Sequence, residues 1–153
     1  MTILDSGDRR SFPSGAVRDM AEGKGRCDLM PLEVVSRLMG DDLVVCEISD
    51  FMKSGDTEHL YNAMRCFLTV TLWDMETMLL NVAKHFEDGA KKYGENNWQK
   101  GIPTNNYIDS AVRHYLKYFR GDEDEPHDRA FVWNLMCCIW EVDYRTTEDT
   151  NDD

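Results

Sequence analysis

The sequence lacks the features that define several protein classes. No apolar run approaches the roughly 20 residues that span a bilayer as a helix. The charged N-terminal stretch MTILDSGDRRSF is not followed by the apolar segment of a secretory signal. Cysteine occurs five times but never as a C-x-x-C pair, which argues against a cysteine zinc site and against a disulfide framework. These absences predict a cytoplasmic protein that does not act at a membrane.

The sequence also lacks clear strands and the phosphate-binding motifs that follow them. Neither the P-loop pattern nor G-x-G-x-x-G occurs, and no segment alternates cleanly between apolar and polar residues. Apolar residues recur instead every three or four positions, as in helices with one buried face. One such stripe runs from Ile108 to Phe119. The other expected helix starts are Pro31, Asp41 or Asp42, Asp56, Asp74 and Pro126.

This pattern predicts an all-α protein, with the later helices forming an antiparallel helical bundle. At 153 residues the chain has the length of one domain. We expect a single all-α domain over residues 1–145, with an irregular, glycine-rich N-terminal arm at residues 15–31. Residues 146–153, TTEDTNDD, contain no apolar residue and are expected to form a disordered acidic tail.

The net charge of −12 argues against general binding to nucleic acid, and the acids are clustered. The stretch RGDEDEPHDRAFVWN places five carboxylates within the seven residues from Asp122 to Asp128, beside His127. Acids at a helix start can simply cap it. Five like charges repel one another unless a cation neutralises them, however, and Glu125 and Asp128 can present oxygen ligands on one helix face. The cluster is either a cap or a divalent-cation site.

A second acidic pair, Glu87 and Asp88, lies on the polar side of the helix that contains Phe86. This pair forms an ordinary exposed face unless that face meets Glu125 and Asp128 across the bundle. In that second arrangement, carboxylates from two helices would form a metal site in the bundle interior.

Two further features on the helices also have two interpretations. Asp109 and Arg113, four residues apart, form either an ordinary helical ion pair or a pair that orients ligands. His85 and His114 are weak signals alone, because a single histidine on a helix is more often structural.

Basic residues gather near glycines despite the negative net charge. Arg18, Lys24 and Arg26 lie in the arm, and Lys92 and Arg113 flank the central motif. A glycine-rich segment with cations can wrap a polyphosphate through its side chains and backbone N–H groups. The arm is therefore a candidate phosphate-binding segment.

The loop after Tyr93 contains side chains that suit a nucleobase. Trp98 can stack on a base, and Asn97 can pair with an adenine edge. A core tryptophan next to an asparagine in a turn would give the same pattern, so both interpretations stay open at this point.

Three stretches together resemble one family: GAVRDMAEGKGRCDLMP, HFEDGAKKYGENNWQKGIP and YIDSAVRHYLKYFRGDEDEPHDRAFVWN. In this order they resemble the dATP/dGTP diphosphohydrolase family of phage and bacterial proteins. The resemblance covers residues 15–39 and about 74–140. The elements G-A-x-K-Y-G-x-x-N-W, R-H and D-E-P-H…W-N are specific together and weak separately.

The resemblance implies hydrolysis of a purine deoxynucleoside triphosphate, dGTP or dATP, to the monophosphate and pyrophosphate. The implied cofactor is a divalent metal ion, Mg²⁺ or alternatively Mn²⁺ or Co²⁺. The family is similar in outline to the all-α, MazG-like pyrophosphohydrolases, whose metal sites use an E-x-x-E helix and an E-x-x-D helix. The segment EPHD, Glu125 to Asp128, matches the second pattern, whereas Glu87-Asp88 is followed by Gly89-Ala90 and departs from the first.

Together, the residues and the resemblance give a set of expected roles. Catalytic roles are expected for Glu87, Glu125 and Asp128. The expected metal ligands are Glu87, Asp88, Glu125, His127 and Asp128. The expected substrate-binding residues are Arg18, Lys24, Arg26, Lys92, Tyr93, Asn97, Trp98, Arg113 and His114. The arm is expected to close over the substrate as a lid.

Two other functions stay open at this level. A net charge of −12 suits an acidic interaction protein that imitates DNA, although basic residues concentrated near glycines do not. A nucleotide-binding regulator without catalysis would show the same motifs. Pool control and phage synthesis of a 2-aminoadenine nucleotide, in the host cytoplasm, are both compatible with the resemblance. We expect a purine deoxynucleoside triphosphate as the partner, no nucleic acid and no membrane, and leave a homo-oligomer open.

Overall fold

The computed structural model describes residues 3–145, which form six α-helices and one small antiparallel hairpin. The strands are β1 (Arg9–Ser11) and β2 (Val17–Asp19). The helices are α1 (Leu32–Leu38), α2 (Leu43–Ser54), α3 (Glu58–Thr71), α4 (Met75–Tyr93), α5 (Thr104–Arg120) and α6 (His127–Trp140). Short helical turns lie at Cys27–Leu29, Asn97–Lys100 and Glu141–Arg145. The all-α prediction is confirmed, and the tail predicted at residues 146–153 lies outside the described residues.

Local capping signals place the helix boundaries. The Asp42 carboxylate accepts the Val45 backbone N–H at 2.9 Å and starts α2, and Asp74 starts α4 in the same way. Gly121 ends α5 at a φ of +89°, a conformation that glycine adopts without steric cost. These signals are local in sequence, which is why the sequence predicts them.

The hairpin corrects the expectation of an irregular arm. Its strands have three residues each, too few for an alternating pattern to appear in the sequence. The Phe12 backbone N–H donates to Ala16 at 3.0 Å, and Gly15 provides the positive φ of the connecting turn. In the ladder between the strands, Arg10 lies directly opposite Arg18.

An aromatic cluster joins α3, α5 and α6 at the centre of the core. The rings of Phe67 and Phe131 lie 4.6 Å apart, and Tyr115 lies 5.4 Å from Phe131. All three side chains are buried. Helix α6 packs against α5 and also against α4. Within the described residues, no helix combines the length and apolarity that crossing a bilayer requires.

Candidate active site

A cavity of about 480 Å³ lies between the arm and helices α4, α5 and α6. The second hairpin strand contributes Arg18, α4 contributes Phe86 and Tyr93, α5 contributes Arg113, and α6 contributes Trp133. Small-molecule sites in proteins have volumes of about 300–1,000 Å³. The cavity therefore has the size of a ligand site.

Positive side chains dominate the walls of this cavity, although the chain carries a net charge of −12. The lining cations are Arg10, Arg18, Lys24, Lys92, Arg113, Lys117 and Arg120. Among the described residues that line the cavity, two carboxylates oppose these seven cations, those of Asp19 and Glu125, and three of the cations also pair with carboxylates outside the lining. A concave wall with one dominant sign of charge concentrates ions of the opposite sign. The cavity is therefore suited to an anion.

Arg10 and Arg18 are the clearest sign of an anion site. They are opposite one another in the hairpin, and neither forms an ion pair with a carboxylate of the described residues. Burial and the nearby Arg18 charge lower the pKa of Arg10, a sign of mutual repulsion. Like charges directly opposite destabilise a strand pair unless something neutralises them. Sequence reasoning missed Arg10, because only the hairpin register brings it beside Arg18.

Neutral groups hold the Arg18 side chain in the cavity wall. Its Nη2 donates to Ser110 Oγ at 2.9 Å and to Asn134 Oδ1 at 3.3 Å. Its guanidinium carbon lies 5.3 Å from the centre of the Tyr107 ring. Its Nη1 has no hydrogen-bond partner among the residues that the structure describes. Arg18 is thus held by neutral partners and keeps one unpaired N–H donor.

The other predicted arm cations differ in their surroundings. Lys24 lines the cavity and lies 3.9 Å from Asp19. Arg26 does not line it, since its guanidinium forms two hydrogen bonds to Asp28, at 2.8 and 2.7 Å, and half of its side chain is exposed. Lys92 is almost fully buried beside Asp19, at 3.7 Å. Of these three, Lys24 and Lys92 are placed to meet a ligand.

Two histidines and one glutamate converge at one end of the cavity. The Nδ1 atoms of His114 and His127 lie 2.8 Å apart, and Glu125 offers a carboxylate oxygen within 4.8 Å of both rings. The His127 Nε2 atom lies 2.6 Å from the Asp124 carboxylate. In metal sites, a carboxylate that hydrogen-bonds the second nitrogen of a histidine ligand fixes the orientation of its ring. Burial and the nearby His127 lower the pKa of His114 well below its usual value, which keeps its ring in the neutral form that binds metals.

A family model described as dATP/dGTP diphosphohydrolase, N-terminal, matches residues 53–151, which are 99 of the 153 residues. The chain belongs to the dATP/dGTP diphosphohydrolase family. This confirms the family that the motifs resemble. No match was found among curated proteins or among solved structures. The helices α4, α5 and α6 that line the cavity lie inside the matched range, and the arm precedes it.

The structure separates the acids that were expected to form one metal site in this family member. Glu125 and His127 lie together, but Glu87, Asp88 and Asp128 line a different surface depression. In that depression Asp88 pairs with Arg129 at 2.7 Å, and the exposed Glu87 lies 3.8 Å from Lys91.

Helix phase explains this separation. Residues 85, 86, 89, 90 and 93 of α4 line the cavity, following the helical repeat, and the long side chain of Lys92 reaches it as well. Glu87 and Asp88 occupy the intervening positions and point away from it. The expected pairing of Glu87 and Asp88 with Glu125 across the bundle is therefore not what the structure shows.

The loop after α4 anchors the arm. The Asn97 side-chain amide donates to the Val17 carbonyl at 2.8 Å and accepts the Val17 N–H at 2.9 Å. The Tyr93 hydroxyl accepts the Asp19 N–H at 3.0 Å. Trp98 packs edge-on against Phe86, with ring centres 5.5 Å apart. The Asn97 amide, which was expected to contact a base edge, thus bonds the hairpin backbone in the structure.

Asp109 and Arg113 form a second anchor for the arm. Both carboxylate oxygens of Asp109 accept from Arg113 at 2.7 Å. The same pair also reaches the arm backbone, because Asp109 accepts the Cys27 N–H at 2.7 Å and Arg113 donates to the Gly25 carbonyl at 2.6 Å. The pair is therefore more than an ordinary helical ion pair, since it also holds the arm backbone against α5.

Proposed function

We propose that the protein hydrolyses purine deoxynucleoside triphosphates to the monophosphate and pyrophosphate, with the described cavity as its active site. The observation that carries this proposal is the positive cavity in a chain of net charge −12, above all the opposed pair Arg10 and Arg18. A triphosphate supplies the negative charge that this pair lacks. Membership of the dATP/dGTP diphosphohydrolase family supports the substrate class.

The cavity arginines would bind phosphate oxygens and stabilise the charge that develops on the departing pyrophosphate. Arginine donates several N–H groups in a fixed plane, which matches phosphate geometry. Such donors act most strongly in a site that excludes water. Arg10 lies in β1 and Arg18 in β2, so closure of the hairpin and the arm over the substrate would bring both to the phosphates and shield the substrate from solvent.

We propose His114, Glu125 and His127 as the residues that hold a divalent cation. Two imidazoles and a carboxylate form a donor set that suits Mn²⁺ or Co²⁺ better than Mg²⁺, which prefers oxygen ligands. When bound, the cation would supply Lewis-acid stabilisation of phosphoryl charge and a nucleophilic water at neutral pH. Glu125 also accepts the Leu4 N–H at 3.0 Å, so the chain segment before the hairpin reaches this end of the cavity.

The same charge distribution argues against an acidic interaction protein. A protein that imitates DNA presents acids over its surface, whereas this cavity concentrates basic side chains. Removal of dGTP or dATP would serve nucleotide pool control, and formation of dGMP would also supply 2-aminoadenine nucleotide synthesis in a phage.

The proposed function is tested with purified protein and a panel of dNTPs and NTPs, with Mg²⁺ or Mn²⁺. We expect pyrophosphate release from dGTP and dATP, well above the release from dCTP and dTTP, and no orthophosphate. Orthophosphate as the first product, or no turnover of any purine deoxynucleotide, would overturn the proposal.

Replacing Asn97 with alanine should lower kcat/KM for every nucleotide by a similar factor, roughly 10-fold or more, because two hydrogen bonds to the hairpin are lost. The preference for purines over pyrimidines should stay unchanged. Steady-state kinetics on four dNTPs measures both quantities. Asn96→Gly is the matched control, since glycine tolerates the left-handed conformation that Asn96 adopts. A changed base preference in Asn97→Ala would instead assign base contact to Asn97.

A further inference from the structure

One wall of the cavity is built from aromatic rings. The ring of His85 lies 5.3 Å from that of Trp133, which lies 5.8 Å from Phe86, which lies 5.5 Å from Trp98. All four residues line the cavity. Flat aromatic surfaces of this kind hold nucleobases by stacking, and stacking tolerates any base. Discrimination among bases therefore requires polar groups at the same wall.

This wall contains two polar atoms without partners. Within residues 3–145, neither Nδ1 of His85 nor Nε1 of Trp133 finds a hydrogen-bond partner, and both atoms are buried. The whole His85 side chain is only 7% exposed. Buried polar atoms are almost always hydrogen-bonded, so two unpaired atoms on residues that line the same cavity call for an explanation.

The two groups have different hydrogen-bonding abilities. The Trp133 indole N–H only donates. Burial and the nearby charge of Arg129 lower the pKa of His85 to about 3, so its ring is neutral at physiological pH. A neutral imidazole can present either a donor or an acceptor at a given nitrogen, depending on its tautomer.

Building on the proposed function, we propose that Trp133 and His85 select the purine base, with Trp133 donating to N7 and His85 contacting the group at position 6. Adenine and guanine both present N7 as an acceptor at this edge, whereas cytosine and thymine do not. At position 6, adenine carries a donor and guanine an acceptor. The two tautomers of His85 match both groups, which accounts for a site that accepts dATP and dGTP.

The surroundings of these two side chains support the assignment. The guanidinium carbon of Arg18 lies 6.0 Å from the centre of the Trp133 ring, so the phosphate-binding and base-binding walls adjoin. Asn97, the polar side chain of the neighbouring loop, uses both ends of its amide on Val17. Among the groups at this wall, Trp133 and His85 keep unused hydrogen-bonding capacity.

The test compares kcat/KM for dGTP and dATP with that for their 7-deaza analogues, in which a carbon replaces N7. Wild-type protein should lose roughly 10-fold with each analogue, as expected when a buried donor is left unpaired. Trp133→Phe keeps an aromatic ring but removes the N–H, so it should treat natural and 7-deaza nucleotides alike. Equal rates for both kinds of nucleotide in wild type would overturn the assignment of Trp133.

His85→Leu should lose the preference for purines, and His85→Asn should restore part of it, because an amide can flip to donate or accept. Since Nδ1 is unpaired in the folded protein, His85→Leu should melt at or above the wild-type temperature. Trp140→Phe is the control, because Trp140 packs on Trp98 without lining the cavity. An unchanged base preference in His85→Leu would overturn the assignment of His85.

Inorganic tripolyphosphate separates this inference from the proposed function. Its affinity should be the same in wild type, Trp133→Phe and His85→Leu, because it has no base. If wild type hydrolyses no purine deoxynucleotide, the proposed function fails. If wild type is active and both variants keep the wild-type response to every base, the base assignment alone fails.

Discussion

Replacing Arg18 with alanine should lower kcat/KM for dGTP by roughly 10²–10³-fold, the range found when one charge-stabilising donor is removed from an active site. The Arg18 guanidinium faces the cavity, has no carboxylate partner among the described residues and keeps one nitrogen unbonded. Steady-state kinetics measures the effect, and inorganic tripolyphosphate should also bind more weakly.

Arg26→Ala is the matched control for this prediction. Arg26 belongs to the same arm, but its two hydrogen bonds go to Asp28 and it does not line the cavity. Its replacement should change kcat/KM by less than about threefold, as for ordinary exposed ion pairs. Equal losses in Arg18→Ala and Arg26→Ala would show that the arm acts as a whole and that Arg18 has no special role.

Arg10→Ala provides a second, independent variant in case Arg18→Ala perturbs folding. Arg10 has no ion-pair partner in the described part of the chain, and replacing Arg10 relieves its repulsion from Arg18. The thermal stability of the protein without nucleotide should therefore hold or rise, while the affinity for tripolyphosphate falls. A loss of stability with unchanged affinity would contradict an anion site between the two arginines.

Loss of a residue that hydrogen-bonds a metal ligand typically lowers activity by roughly 10–100-fold. Glu125→Gln removes a proposed ligand itself, so it should lower kcat/KM by more than this. The amide keeps an oxygen that can accept the Leu4 N–H but removes the charge that a divalent cation needs. The independent measurement is thermal unfolding with and without Mn²⁺. Wild type should melt at a higher temperature with Mn²⁺, because the ion binds the folded state, and Glu125→Gln should lose this increase.

Asp128→Asn is the control for the metal site. Asp128 is also in the acidic cluster, but it lines the outer depression with Glu87 and Asp88. It should keep both the Mn²⁺-dependent rise in melting temperature and most of the activity. If Asp128→Asn loses both while Glu125→Gln keeps them, the cation lies in the outer depression beside Glu87 and Asp88.

The helices could be predicted from the sequence because their signals are local. Asp42 and Asp74 each accept a backbone N–H three residues later and so cap α2 and α4. Gly121 directly follows the last residue of α5 and ends that helix. The hairpin could not be predicted, since three-residue strands carry no period. Arg10 therefore went unnoticed beside Arg18.

The candidate site was predicted only in part, for two physical reasons. The apolar pattern of a helix predicts its buried face but not which of its polar residues line a cavity, so the sequence could not predict whether Glu87 of α4 lines it. The hydrogen-bond partner of the Asn97 side chain is the backbone of Val17, 80 residues earlier, and local sequence patterns do not predict such long-range contacts. Glu125 and His127, which the structure places together, could be predicted as neighbours because an acidic cluster beside a histidine is unusual in itself.

Hydrolysis of dGTP in H₂¹⁸O tests the central claim most directly, because it shows which phosphorus the solvent oxygen attacks. The proposed reaction at the α-phosphorus predicts dGMP that carries one ¹⁸O atom and pyrophosphate that carries none, as read by mass spectrometry. The Arg18→Ala protein should form the same labelled product more slowly. Label in the pyrophosphate, or release of labelled orthophosphate, would contradict the assignment of this cavity to a diphosphohydrolase reaction.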